Sequence, residues 1–503
     1  MKASQRELFC LKAILQSFSQ STGLKVNYNK SCLLPINMGE EKAVQLAATF
    51  GCQVGSFPFT YLGLPMGTTK PRVDHYLPLM NTVERRITTT ATWLSMTGRL
   101  TLVDSCISSL PTYAMCTLRL PFTVIDIIDR ARRDCLWRGN DINAKRKSLI
   151  AWKKVTTPKE NGGLGVINLK VQNQALLVKP LHKFFNKVET PWVQLVWHTH
   201  YPNGQIPHAS SERGSFWWKD VLRLADHFRG LASPKAGDGS TFLLWRDVWN
   251  QSFLCQEFPR LFSFIKNQNI SLAKYLQNQD INTNFHIPLS LEALEEYHIF
   301  NEKLTVVAQS LQGKDVWHYI WENPTFSSKK VYMRNFTFLS PPAPFGWIWN
   351  SKVCKKLKVF IWLMFRDRLN SRNVLKRRNY KLENDDYSCV LYDSQVEETT
   401  YHLFFQCSFS QRCWEYLNFF WDHSINFFCT LEVAKVHFGH QFFMEVFACA
   451  SWEIWKQRNA KIFRLSAPSL SDWIRCFRDT LNLQLYRMNA NLKLDIVSWL
   501  HSI

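Results

Sequence analysis

A mainly helical α+β chain, divided into several domains, is what these 503 residues predict. Apolar side chains return at helical spacing through residues 5–21 and across most of 74–135. Between about 190 and 345 that rhythm breaks into short pieces, separated by Pro202-Asn203-Gly204, Gly237-Asp238-Gly239-Ser240 and Pro341-Pro342-Ala343-Pro344. The length exceeds what one hydrophobic core holds, so about three domains are expected. With 46 % hydrophobic and 14 % aromatic residues there is ample material for those cores, which excludes a disordered tail.

The elements follow in order. Leu8, Leu11, Leu15 and Phe18 line one face of a helix over 5–21, and Thr22-Gly23 supplies its stop. A short strand, Leu24 to Tyr28, should come next. Tyr61 to Met66 places an aromatic, a glycine and a proline together, which suits a tight turn between short strands. Over 74–135, Tyr76, Leu79, Met80, Val83 and Ile87 form one helical face and Glu84-Arg85-Arg86 another. Trp137 to Trp152 encloses Lys145-Arg146-Lys147, either an exposed flexible stretch or a grip for a single strand by charge and stacking. Asn161 to Val166 is glycine-rich but lacks the order of a nucleotide-binding loop and reads as a turn. Trp245 and Trp249 are packing anchors. The prolines at 341–344 mark a domain boundary. Near the C-terminus Trp452, Trp455, Asn459 and Phe463 fall on one helical stripe.

Charge narrows the partners. Sixty-one Lys plus Arg against 40 Asp plus Glu leave a net +21, which favours RNA or DNA, because each phosphate neutralised releases counterions. Lys2, Arg6, Glu7 and Lys12 interrupt any secretory signal, and the longest apolar run, Val359 to Phe365, is far short of a bilayer span. No membrane association is expected. The 14 cysteines are too sparse for a disulfide scaffold, so an intracellular protein, nuclear or cytoplasmic and not secreted, is expected.

Specific motifs sharpen this. Thr22-Gly23-Leu24-Lys25-Val26-Asn27-Tyr28-Asn29-Lys30-Ser31 and Tyr61-Leu62-Gly63-Leu64-Pro65 together resemble the end of the palm and the primer-grip turn of plant LINE-type, non-LTR retrotransposon reverse transcriptases. Leu94 to Val103, then Ser109-Leu110-Pro111-Thr112-Tyr113, resemble that family's thumb, and Gly237 to Trp249 its connector. The resemblance implies a palm remnant over 1–70, a helical thumb over 71–188, an irregular connector over 189–344, a small zinc-knuckle-like helical domain over 345–420 and C-terminal helices over 421–503. It also implies phosphate contacts by Lys25, Lys30, the Tyr61 and Gly63 turn, Arg85, Arg86 and Arg99. Any one of these arginines can equally be part of a solvated helix face.

In that family the aspartate pair holding the catalytic metals lies just upstream of the first motif. Nucleotide addition needs two cations clamped by closely placed carboxylates. The one Asp-Asp in this sequence, Asp385-Asp386, reads as a solvated loop, so no catalytic magnesium and no polymerase activity are expected.

The segment Trp347 to Trp414 resembles the reverse-transcriptase zinc-binding domain, whose pattern is CxxC followed by HxxxxC. Here it reads Cys389, Tyr392, His402 and Cys407, with tyrosine in place of the second cysteine. A structural zinc wants four soft or borderline donors, and a phenol is a poor one at neutral pH. Asp393, Cys413 or water can fill the fourth position at lower affinity. The alternative is a metal-free core with Leu391, Leu403, Phe404 and Phe405, held by Trp362, Phe365 and Trp414. The loss of one ligand favours that alternative. Three readings of function follow: a nucleic-acid-binding remnant without catalysis, a relic or protein-interaction scaffold presenting tryptophans, or part of an active polymerase whose palm lies outside this chain.

Overall fold

The computed structural model describes residues 4–88, 91–139, 148–202, 206, 214–249, 252–392 and 395–503. Lys145-Arg146-Lys147 and Asp393 lie outside them. The chain divides into two units, one of Met1–Thr82, Tyr113–Asp126 and Leu176–Phe326, the other of Val83–Thr112, Ile127–Ala175 and Ser327–Ile503. Helices dominate, and among the described residues the strands form three two-stranded sheets, which is the mainly helical α+β class the sequence predicts.

In the first unit the opening helix runs Gln5–Thr22, with the Ser4 side chain accepting from the Glu7 N–H and Gly23, at φ 73°, closing it. The expected strand over Leu24–Tyr28 does not form. The Asn27 side chain accepts from the Lys30 N–H at 3.2 Å and folds Tyr28–Lys30 into a 3₁₀ turn, so pairing starts later, with Cys32–Leu33 parallel to Gln53–Val54. The Tyr61 turn does form. Phe59–Tyr61 pairs antiparallel with Leu64–Met66, and the two residues between, Leu62 at φ 49° and Gly63 at φ 79°, are both left-handed, as a two-residue hairpin turn demands.

The rest of this unit is anchored by aromatics. Ala232–Lys235 pairs antiparallel with Val316–Tyr319, and fully buried Trp317 packs on Phe185 and Phe228 with ring centroids 5.2 and 5.1 Å away. Trp245 and Trp249 are buried too, as packing anchors should be. Before the second strand, the carboxylate of Asp315 accepts from the N–H groups of Gly237, Gly239 and Thr241, each at 2.8 Å, and from the Thr241 hydroxyl at 2.9 Å. A Cβ on Gly237 would lie 2.4 Å from the Lys314 backbone, so only glycine admits this approach.

The span 74–135 is helical over most of its length, as the spacing predicts, in successive pieces. Leu77–Thr88, Met96–Thr101, a π-helical turn Leu102–Ile107, Thr112–Thr117 and Phe122–Arg138 succeed one another, with Ser95 capping the second. Pro111 and Pro121 precede the last two helices, where a ring that removes an N–H fits a helix start. Of the predicted stripe Tyr76, Met80, Val83 and Ile87 are buried and Leu79 is half-buried.

In the second unit Arg132, fully buried, reaches Asp129 at 2.6 Å, the Ser108 hydroxyl at 2.8 Å and the Ile167 carbonyl at 2.8 Å. The glycine turn at 162–165 docks on the helix Lys355–Phe365: the Gly162 carbonyl accepts from Trp362 Nε1 at 3.0 Å and from Arg366 at 2.6 Å. Long helices Phe443–Arg464, Leu470–Leu485 and Ala490–Ser502 complete the unit. The predicted stripe at 452–463 ends early, because Phe463 is exposed while Trp452, Trp455 and Asn459 are half-buried.

Candidate metal centre

Three side chains of the second unit converge. Cys389, His402 and Cys407 are all buried, and their donor atoms lie within 4.8 Å of one another. Local structure brings them in. The Cys389 N–H donates to the Val396 carbonyl at 2.9 Å, and Ser388 bridges antiparallel to Glu397, so these two stretches of chain lie side by side. Next to that bridge the buried carboxylate of Glu398 accepts from Arg458 at 2.7 Å and from the Arg372 N–H at 2.9 Å, which fixes this stretch of chain. Sequence reasoning missed Glu398 and Arg458; 60 residues separate them, and no local pattern announces the pair.

His402 opens a π-helical turn, His402–Gln406, whose N–H is capped by the Thr399 hydroxyl at 2.9 Å. The wide turn carries Cys407 round until its N–H donates to the His402 carbonyl at 2.8 Å, so ring and thiol share a face. Cys407 also stands at the N-terminus of the helix Ser408–Tyr416. There the Cys389 thiol, His402 and the backbone N–H groups of Ser410 and Phe409 favour its thiolate, pulling its pKa well down against the opposing effect of burial. The Cys389 thiol is pushed up in return, first by its contact with Cys407 and then by burial.

The donors suit zinc in two respects. The sulfurs of Cys389 and Cys407 are 3.8 Å apart, and a tetrahedron with Zn–S of about 2.3 Å has an edge of about 3.8 Å. His402 Nε2 is buried and has no hydrogen-bond partner, an orphan that a metal would satisfy. Cys413 is not among the converging donors, and burial holds its thiol well above the ordinary value. Tyr392 is exposed and lines, with Arg372, Cys389, Gln395 and Lys461, a groove of about 440 Å³. Aromatic packing frames the centre: Phe405 stacks on Trp414 at 6.5 Å between ring centroids, and Trp414 Nε1 donates to the Phe404 carbonyl at 2.6 Å.

The predicted phosphate contacts fall elsewhere. Lys25 and Lys30 are exposed, Tyr61 is exposed on its hairpin beside Gly63, and all four belong to the first unit. Arg85 and Arg86, exposed in the last turn of Leu77–Thr88, and half-buried Arg99 belong to the second. Asp385 and Asp386 are exposed; the Asp386 carboxylate accepts from the Ser388 N–H at 2.9 Å and pairs with Arg372 at 2.7 Å.

Residues 326–414 match the family model of the zinc-binding domain in reverse transcriptase. Over 310 residues, 58 % of the chain, it is 25 % identical to an Arabidopsis thaliana protein provisionally named for ribonuclease H, and it spans about half the length (48 %) of that protein. Over 144 residues, 28 % of the chain, it is 30 % identical to an uncharacterized mitochondrial protein of Arabidopsis thaliana, covering 92 % of it.

Proposed function

We infer, from the premise that this chain belongs to the reverse-transcriptase-like proteins of retrotransposon origin, that it is of the LINE type and that it holds RNA or DNA without copying it. The observation that carries this reading is a contrast in donors. Sulfur and nitrogen converge at Cys389, His402 and Cys407, whereas Asp386, in the one adjacent aspartate pair, is committed to Ser388 and Arg372. Among the described residues no further group of three or more histidine, cysteine or carboxylate donors converges. Polymerisation and ribonuclease H chemistry both call for carboxylates that seat metal ions, and neither is proposed here.

The centre fits zinc as a three-ligand site. Cys389 and Cys407 would hold the ion as thiolates and His402 through Nε2, and bound zinc would tie the 388–397 loop to the helix Ser408–Tyr416. Lys25, Lys30, the Tyr61 hairpin with Gly63, Arg85, Arg86 and Arg99 are proposed as phosphate contacts that position a strand without reading its bases. The described helices include none long and apolar enough to cross a membrane, and a nuclear or cytoplasmic setting is proposed.

A second reading, a protein-binding scaffold, has Trp93 in its favour, 91 % exposed in the thumb-like segment. One experiment separates them. The purified chain is expected to carry about one zinc, to retard RNA or DNA in a gel with an affinity that falls steeply with salt, and to leave a primer unextended with magnesium and deoxynucleotides. Extension of the primer would overturn the reading, and a flat, negligible shift would favour the scaffold.

A further inference from the structure

We propose that Lys159, Lys352, Lys355, Lys358 and Arg487, gathered around Trp349 in the second unit, form a docking site for the phosphate backbone of a nucleic-acid strand. The proposal rests on the nucleic-acid-binding reading above and gives it a place that the sequence motifs do not. Lys355 and Lys358 stand one turn apart on the helix Lys355–Phe365. Lys358 Nζ donates to the Trp349 carbonyl at 3.0 Å, and Lys355 Nζ to the Thr101 hydroxyl at 3.0 Å. Lys159, from the turn before Gly162, sets its ammonium 5.3 Å from the centre of the Trp349 ring. Lys159, Lys352 and Arg487 are exposed.

Lys159, Lys355 and Lys358 are held by uncharged groups rather than neutralised. Among the described residues none of the five makes a salt bridge. Two carboxylates act on the cluster, Asp104 on Lys355 and Glu445 on Lys358, and Glu445 already accepts the Lys352 N–H at 2.7 Å. The lysines feel one another. Burial first, and then the charge of Lys159, Lys352 and Arg487, hold the Lys358 ammonium below its ordinary value, and burial with Lys159 does the same for Lys355. An anion seated among them relieves that repulsion. A polyanion suits the spread, since an extended strand meets several cations at once and releases a counterion for each.

The test is fluorescence anisotropy of the full chain with a labelled single-stranded RNA across a salt series. Lys159→Gln, Lys352→Gln and Arg487→Gln together remove three exposed charges without touching the core. The expected result is a log affinity against log salt slope shallower by about 2, at roughly 0.7 per phosphate contact. Lys235→Gln, Lys266→Gln and Lys314→Gln together, the same charge change in the first unit, are expected to leave the slope at the wild-type value. Equal effects of the two triples, or no effect of the first, would overturn the site while leaving nucleic-acid binding intact. No salt-dependent binding by the wild type would sink the underlying reading as well. Binding of inorganic phosphate by the wild type that the first triple abolishes, while the RNA slope stays at the wild-type value, would make this a site for free phosphate and overturn the proposal.

Discussion

Two buried polar clusters sit in the two units of this chain, and one is finished while the other is not. Asp315 in the first unit is 4 % exposed, and its two oxygens take four hydrogen bonds from Gly237, Gly239 and Thr241. Cys389, His402 and Cys407 in the second are as deeply buried, yet His402 Nε2 has no partner and the two sulfurs face each other at 3.8 Å. A saturated carboxylate is structure, since nothing further can be added without breaking a bond it already makes. A buried nitrogen without a partner, beside two sulfurs at the spacing of a metal tetrahedron, is a candidate site. The same burial therefore means opposite things, and the bonds left unmade decide which.

The largest expected effect lies on the saturated side. Asp315→Ala leaves three buried N–H groups without an acceptor, and the first unit should lose about 3–5 kcal/mol, read from urea unfolding followed by tryptophan fluorescence. A loss below about 1 kcal/mol would mean that water replaces the carboxylate, and the comparison would fail at its stronger end. Next comes the metal. At a free zinc concentration about a hundredfold above the dissociation constant, binding should stabilise the second unit by about 2.7 kcal/mol, which a chelator removes. Cys407→Ser should abolish that zinc dependence of melting. A wild-type melting temperature indifferent to zinc and to chelator would show the centre to be as complete without metal as Asp315 is.

How much of this could be read in advance differs between the two clusters for a physical reason. Cys389, His402 and Cys407 stand within 19 residues, so the resemblance to a short family pattern already named them. The Asp315 network joins residues 74 to 78 positions apart and leaves no local signature beyond the glycines of 237–240. The opening helix and the Tyr61 hairpin were legible because caps, glycine and apolar spacing act over a few residues. The strand expected at Leu24–Tyr28 does not form, and its end is taken into a turn at Tyr28–Lys30 that the Asn27 side chain caps by accepting from the Lys30 N–H. The grouping of Lys159 with Lys355 and Lys358 spans almost two hundred positions and needed the fold.

A smaller change sharpens the comparison from the unfinished side. Tyr392 borders the same groove as Cys389, and Tyr392→Cys returns a thiolate to the position where the resembling pattern has one. Competition against a chromogenic chelator should show zinc held about tenfold tighter, the effect of about 1.4 kcal/mol from one added donor. Unchanged affinity would mean that the fourth position points away from residue 392.

The smallest effect concerns Asp386, which makes bonds like those of Asp315 but in water. Its carboxyl is held down at about 2, from the ordinary 3.8, first by the Ser388 hydroxyl and N–H and then by Arg372. A depressed carboxylate contributes stability at pH above its ordinary value and loses that contribution as pH falls through about 2. Asp386 therefore adds a shallow acid dependence below about pH 4. Its side chain is 51 % exposed, so water competes for every bond and the contribution should be about 0.5 kcal/mol or less. Asp386→Asn should flatten that part of the stability curve, measured by thermal melts across the acid range, and leave zinc affinity alone. An effect of the size expected for Asp315 would mean that counting bonds, without regard to solvent, is enough to rank these clusters.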